Sequence, residues 1–257
     1  GLLAFIAEAE SRRWPVLLDD EVLSIGFGVC VRQWPRQPVP ARSLVPAAAA
    51  DPIPVAMVTG SNGKTTSVRL LAAMARAAGL ASGYNCTDGL FFNGALLEAD
   101  DYSGPAGARA ILRHAGVQAA ILETARGGLL RRGLATDQAD AALVTNVSED
   151  HFGEYGIFSL DDLAQVKLAI RRGLKPSGRL LLNAGDPLLV KHGTGLRDGT
   201  AWFAADWSCP ALQAQLAQGA MVCAVDGGHL GLHADGIVHD LGIVADMPLS
   251  HGGVARY

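Results

Sequence analysis

From residue 53 onward the chain alternates between short apolar runs and amphipathic stretches. Apolar strands are predicted at 54–59, 118–124, 140–146 and 179–183, separated by helical stretches near 65–78, 104–114, 159–172 and 186–191. Such alternation predicts an α/β fold, a mostly parallel sheet flanked by helices. One interruption lies at 89–98, where Phe91-Phe92-Asn93-Gly94-Ala95-Leu96 carries a two-residue Asn-Gly turn and reads as a hairpin. Beyond about residue 200 the strands shorten and glycines punctuate them, as in Gly227-Gly228-His229-Leu230-Gly231-Leu232, predicting a small antiparallel margin. Residues 1–50 obey a different pattern. A helix over 2–13 precedes an apolar run, Val22 to Val31, of one or two strands. Proline-dense stretches follow at 34–40 and 46–52, and these predict a linker or an irregular surface connection. The division expected is an appendage with a Pro/Ala-rich linker over 1–50 and one main domain over 51–257.

The first predicted strand runs into Thr59-Gly60-Ser61-Asn62-Gly63-Lys64-Thr65-Thr66. Behind it Val68, Leu71, Ala72 and Ala75 fall at i, i+3, i+4 and i+7, the stripe of an amphipathic helix. Strand, glycine turn, Gly-Lys-Thr and helix are the context of a phosphate-binding loop. Glycines let successive backbone N–H groups converge on one anion, and the helix N-terminus adds its positive end. Lys64 then reaches the terminal phosphates and the Thr65 hydroxyl serves a magnesium ion. The usual first glycine, five residues before Gly63, is Val58 here, and a glycine-rich turn before an ordinary helix is the competing reading. The loop predicts a nucleoside triphosphate as ligand.

Composition narrows the alternatives. With 49% hydrophobic and 18% charged residues, a net charge of −4 and no lysine- or arginine-rich block, the chain offers no nucleic-acid surface. No uncharged apolar run is long enough to span a bilayer. Cys30, Cys86, Cys209 and Cys223 are scattered, without metal-ligand spacing, and read as small buried hydrophobes in a reducing compartment. A cytoplasmic protein is expected, with a homo-oligomer left open.

Polar residues collect at the ends of other predicted strands. Glu123 closes Ala120-Ile121-Leu122 just before Gly127-Gly128, where ligands bind in open α/β sheets. A carboxylate there suits magnesium, although a solvated strand-end carboxylate is the plainer reading. Leu143-Val144-Thr145-Asn146 runs out toward His151, a metal or phosphate ligand or a structural histidine. Lys167, inside the helical stretch, reads by itself as a solvated surface charge. Arg126 could hold a substrate carboxylate or make a surface salt bridge.

These segments in order resemble the Mur ligase superfamily, the ATP-dependent amide-bond-forming enzymes of cell-wall and polyamino-acid synthesis, and within it the cyanophycin-synthetase branch. The loop Thr59–Thr66 resembles the family's Thr-Gly-Thr-Asn-Gly-Lys-Thr-Thr, with Ser61 at the middle threonine. Thr87-Asp88-Gly89, Asp101-Tyr102-Ser103-Gly104-Pro105, Glu123 to Arg131 and Thr145 to His151 are similar to family segments. Asn183-Ala184-Gly185-Asp186-Pro187 departs from Asn-Ala-Asp-Asp-Pro at Gly185. The resemblance covers roughly residues 54–257. It implies a Mur ligase central-domain fold, with ATP held by Gly60, Ser61, Asn62, Gly63, Lys64, Thr65, Thr66 and Asn146. It implies Mg2+ on Thr65, Glu123 and His151, and Lys167 as a carbamate ligand to a second metal. The reaction implied joins a small-molecule or peptide carboxylate to an amine through an acyl phosphate. No ATP-grasp domain precedes the segment, and the family's C-terminal domain would follow Tyr257, so little ligation is expected of residues 1–257 alone. A non-catalytic, regulatory ATP-binding module and a P-loop small-molecule kinase are the alternatives.

Overall fold

The structure, a computed structural model, describes residues 1–48, 52–149 and 156–247, with the backbone alone at 250–251 and 254–255. The N-terminal segment forms a unit with its own core. Helix α1 (Leu2–Ser11) covers an antiparallel sheet of β1 (Val16–Leu18), β2 (Val22–Ile25) and β3 (Arg32–Pro35). Phe5, Ala9, Trp14, Leu23, Ile25 and Val45 pack together inside it. Trp34 and Pro35, expected in the linker, belong to β3, where Val22 pairs with Pro35 and Leu23 with Trp34. The Trp34 ring meets Phe5 edge-on at 5.4 Å, burial that a linker reading overlooks. Proline is tolerated because β3 is an edge strand.

The main sheet begins at β4 (Val55–Thr59), followed by α2 (Lys64–Ala77) and β5 (Ser82–Cys86). The hairpin predicted at Asn93-Gly94 joins β6 (Gly89–Phe92) to β7 (Ala95–Glu98), with both turn residues at positive φ. Then come α3 (Pro105–Arg113), β8 (Ala119–Glu123), α4 (Arg126–Arg132), β9 (Ala139–Val144), α5 (Leu160–Leu168) and β10 (Leu174–Asn183). The last described elements of this sheet region are α6 (Pro187–Gly193), β11 (Ala201–Phe203), α7 (Pro210–Ala217), β12 (Val222–Asp226), β13 (His229–Ala234) and β14 (Ile237–Ile243).

Strand order is β14-β13-β12-β11-β10-β9-β4-β8-β5-β6-β7. From β12 through β5 neighbours run parallel, and the two margins, β5-β6-β7 and β12-β13-β14, are antiparallel. Alternate residues of β4 face opposite cores, as strand geometry requires. Val55 and Met57 join a cluster with Ile111 of α3, Leu163 of α5, Leu189 of α6 and Leu212 of α7. Val58 faces Val68 and Ala72 of α2 on the other side. Burying such an aliphatic side chain stabilises by roughly 1.5–3 kcal/mol.

Both β8 and β9 lie beside β4, on opposite flanks, so the winding of the sheet reverses there. Loops after β4, β8 and β9 therefore open onto one crevice at the carboxyl ends of the strands. The N-terminal unit is fastened to α3. Asp19 pairs with both Arg109 and Arg113, Arg113 Nε donates to Ser24 Oγ at 3.0 Å, and the Val29 N–H donates to the Val117 carbonyl at 2.9 Å. Among the described residues no helix is long and apolar enough to cross a membrane.

Candidate functional site

Gly60 follows β4 in a conformation only glycine accepts readily, at φ +151°, and a Cβ there would lie 1.8 Å from Thr145 Oγ1. Gly63 caps α2 in the left-handed region at φ 79°. Between them the loop is clasped by the segment following β9. Asn146 accepts the Ser61 N–H on its carbonyl at 2.9 Å and the Asn62 N–H on Oδ1 at 2.9 Å, while its Nδ2 donates to the Asn62 carbonyl at 3.1 Å. Thr145 Oγ1 donates to the same carbonyl at 2.6 Å. Ser61 Oγ donates to the Ser148 carbonyl at 3.0 Å and accepts the Ser148 N–H at 2.9 Å. The side-chain amide of Asn146, expected at the nucleotide, is thus occupied in bracing the loop.

With Ser61 and Asn62 committed to that brace, the N–H groups of Gly63, Lys64 and Thr65 have no acceptor among the described residues. They form the open start of a 14-residue helix, an anion site by geometry and dipole. Lys64 Nζ folds back onto the Gly60 and Ser61 carbonyls at 3.0 and 3.1 Å. Its positive charge therefore stands over the same loop.

Glu123 is completely buried at the end of β8. The Thr65 hydroxyl donates to its Oε2 at 2.8 Å and lies 3.3 Å from Thr87 Oγ1. Burial above all lifts its carboxyl above the ordinary carboxylate range; Thr65 and the Lys64 charge oppose this, while Asp101 and Asp88 add to it. Glu123 Oε1 is buried with no hydrogen-bond partner among the described residues. A desolvated carboxylate oxygen left open beside a threonine hydroxyl is a donor set that suits a hard divalent cation. The reading of Glu123 as a solvated strand-end carboxylate is excluded.

His151 lies outside the described residues, and among those described no group of three or more His, Cys, Asp or Glu side chains encloses a metal. Lys167 is buried on α5 rather than solvated, and Arg126 is buried as the first residue of α4 rather than on the surface. Neither is among the hydrogen-bond partners of the Thr65 hydroxyl, which are Thr87 and Glu123. Thr66 follows Thr65 in the first turn of α2.

Several supporting residues were not assigned a role from sequence. Asp186 caps α6, its Oδ1 accepting the Leu188 and Leu189 N–H groups at 2.9 and 3.2 Å, and its Oδ2 accepts the Val147 N–H at 2.6 Å. Asn183 Nδ2 donates to the Thr145 carbonyl at 2.9 Å. Together they fix the segment that braces the loop after β4. The Asp186-Pro187 pair signals a helix start, which could have located the cap but not its second contact.

A family model, the Mur ligase middle domain, matches residues 58–198, more than half of the chain. The chain belongs to the Mur ligase family. A cyanophycin synthetase of Synechocystis sp. is 36% identical over 214 residues, 83% of this chain and 24% of that protein. Another from Geminocystis herdmanii is 38% identical, over 70% of this chain and 21% of that one. A UDP-N-acetylmuramoyl-L-alanyl-D-glutamate--2,6-diaminopimelate ligase of Xanthomonas campestris pv. campestris is 33% identical over 54% of this chain and 31% of its own length. The chain spans about a quarter of the length of the cyanophycin synthetases it matches. A solved UDP-N-acetylmuramoyl-L-alanyl-D-glutamate--2,6-diaminopimelate ligase superposes with a TM-score of 0.52 at 19% identity, covering 76% of this chain and 40% of that one. That likeness establishes the Mur ligase α/β fold, with its mostly parallel sheet flanked by helices.

Proposed function

We propose that this Mur ligase middle domain binds Mg-ATP and serves an ATP-dependent ligase joining a carboxylate to an amine. The observation that carries the reading is the bond from half-buried Thr65 to buried Glu123 beside an N-terminal anion cradle. In the proposed reaction a carboxylate oxygen of the acid attacks the γ-phosphorus, and the bond to the β-phosphate oxygen breaks to release ADP. The amine then attacks the acyl carbon, phosphate leaves, and the amine loses a proton. The free N–H groups of Gly63, Lys64 and Thr65 receive phosphate oxygens, and Lys64 swings from the Gly60 and Ser61 carbonyls to the transferring group. Such transfers ask the protein chiefly for positioning and charge stabilisation. Thr65 and Glu123, with His151, would hold the magnesium ion, which supplies charge neutralisation at the phosphoryl group. Arg126 is assigned to the acid's carboxylate, which guanidinium geometry favours, and Lys167 to a carbamate ligand, the role that family resemblance implies. The activities for which the relatives are named, cyanophycin synthesis and addition of 2,6-diaminopimelate, make amino acids or short peptides the substrates to try first.

The test supplies the full-length protein with ATP, Mg2+, hydroxylamine and a panel of amino acids and short peptides, following phosphate and product mass together. Acid-dependent phosphate release with a trapped hydroxamate supports the reading. Phosphate appearing on a hydroxyl group identifies a kinase instead, and ATP binding without any acid-dependent turnover identifies a regulatory module.

A further inference from the structure

Asn85 is an anomaly of composition. It sits in the completely buried strand Ser82-Gly83-Tyr84-Asn85-Cys86, where an amide side chain has low strand propensity and must be desolvated. Its neighbour Tyr84 stacks on Phe91 with ring centroids 4.6 Å apart, so Asn85 points to the opposite face of the sheet, where a Cβ on Gly83 would meet Ile111 of α3. Both hydrogens of its Nδ2 are spent on main-chain carbonyls, that of Tyr102 at 2.7 Å and that of Glu123 at 2.9 Å. Oδ1 is buried without a partner among the described residues. An amide kept inside a core at that cost is kept for its donor end.

The two carbonyls belong to segments that meet at the site. Glu123 O is the main-chain oxygen of the residue whose carboxylate accepts from Thr65. Tyr102 O belongs to the turn that holds Asp101, whose carboxylate accepts from the Ser103 N–H and hydroxyl at 3.0 and 2.7 Å. That turn is stitched further by the Tyr102 N–H to Cys86 O at 3.0 Å and the Ala125 N–H to Ser103 O at 2.8 Å. One side chain thus ties the ends of β5 and β8 to the approach to α3.

We propose that Asn85 is a positioning residue for the divalent-cation site: by holding the Glu123 and Tyr102 carbonyls it fixes the backbone from which the Glu123 carboxylate is aimed. The inference rests on Glu123 being a cation ligand. Partners that orient a ligand from outside typically contribute about 10–100-fold in metal affinity. Asn85→Ser retains one donor and Asn85→Ala none, so the two grade the effect.

The experiment titrates Mn2+ by electron paramagnetic resonance into wild-type protein, both variants and Glu123→Gln, each saturated with ADP, alongside melting temperatures and ADP affinity without cation. The expected result is Mn2+ binding weakened about 10–100-fold in Asn85→Ala and less in Asn85→Ser, with cation-free ADP affinity unchanged. Glu123→Gln should bind Mn2+ more weakly than either. If Asn85→Ser and Asn85→Ala melt earlier yet bind Mn2+ like wild type, Asn85 only supports the fold and the proposal is overturned. If Glu123→Gln also binds Mn2+ like wild type, the cation site itself is misassigned, a separate failure that the control identifies. Should Asn85→Ala not fold, Asn85→Ser alone decides.

Discussion

Asp186 offers the sharpest test of how a distant turn governs the loop after β4. Its two oxygens do different work: Oδ1 caps α6, and Oδ2 takes the N–H of buried Val147 at 2.6 Å. Asp186→Asn preserves a capping oxygen but sets an amide N–H against the Val147 N–H. The lost charge-assisted bond and the stranded donor cost about 1.5–3 kcal/mol. Asp186→Ala also loses the cap, about 1 kcal/mol more, so about 2.5–4 kcal/mol in total is expected. For a chain of this size that lowers the melting temperature by roughly 5–16 °C. Because Val147 lies between Asn146 and Ser148, both of which hold the 61–62 segment of the loop, the release also reaches the loop. If about 1.4 kcal/mol of loop ordering is forfeited, ADP affinity falls about tenfold in both variants. Thermal melts and calorimetric ADP titration read the two effects separately. A fall in stability with unchanged ADP affinity would refute the coupling, and equal destabilisation by Asn and Ala would refute the division of labour between the two oxygens.

Glu123→Gln bears on pH. Burial raises the folded carboxyl's pKa above its unfolded value, so the native state holds the proton more tightly and ionisation costs stability as pH rises through the folded pKa. Without cation the glutamine variant should therefore melt higher than wild type at pH 7 and not at pH 4, and Mg2+ should reduce the difference; equal melting at both pH values contradicts the raised pKa. Gly60→Ala must place a Cβ 1.8 Å from Thr145 Oγ1 at φ +151°, displacing a hydroxyl bonded to Asn62. It should cost more than about 2 kcal/mol and abolish nucleotide binding, and a variant with wild-type ADP affinity would show that the loop tolerates rearrangement.

How much was legible in the sequence depended on whether the signal was periodic. Strands β4, β8 and β9 announce themselves as apolar runs, and α2 by its stripe at Val68, Leu71, Ala72 and Ala75. Strand β5 went unread because Ser82-Gly83-Tyr84-Asn85-Cys86 has no apolar pattern; it is a strand because two neighbours pair with it and both faces are covered. Helix α4 was hidden by Gly127 and Gly128, and the latter is small because a Cβ would meet Pro105 Cδ at 2.6 Å. Strand β11, of three residues, and helix α7 were missed where tertiary packing outweighs local preference, and β12 joins the parallel part of the sheet rather than a wholly antiparallel margin. At the site, Lys64, Thr65 and Glu123 were readable from motif and strand position. The bracing by Asn146, Ser148 and Asp186 was not, because such contacts join segments about 40 to 90 residues apart and leave no local pattern.

In the proposed function the loop after β4 holds a nucleotide through Lys64 and a cation through Thr65 and Glu123. Calorimetric titration of Mg-ATP into wild-type protein and Lys64→Ala, paired with their melting temperatures, tests it most directly. The expected result is one-to-one, magnesium-dependent binding by wild type and severely weakened binding by the variant, with the melting temperature little changed because Lys64 is only partly buried and, among the described residues, bonds only to loop carbonyls. Binding of Mg-ATP by Lys64→Ala with wild-type affinity, or no binding by the folded wild-type protein, would contradict it.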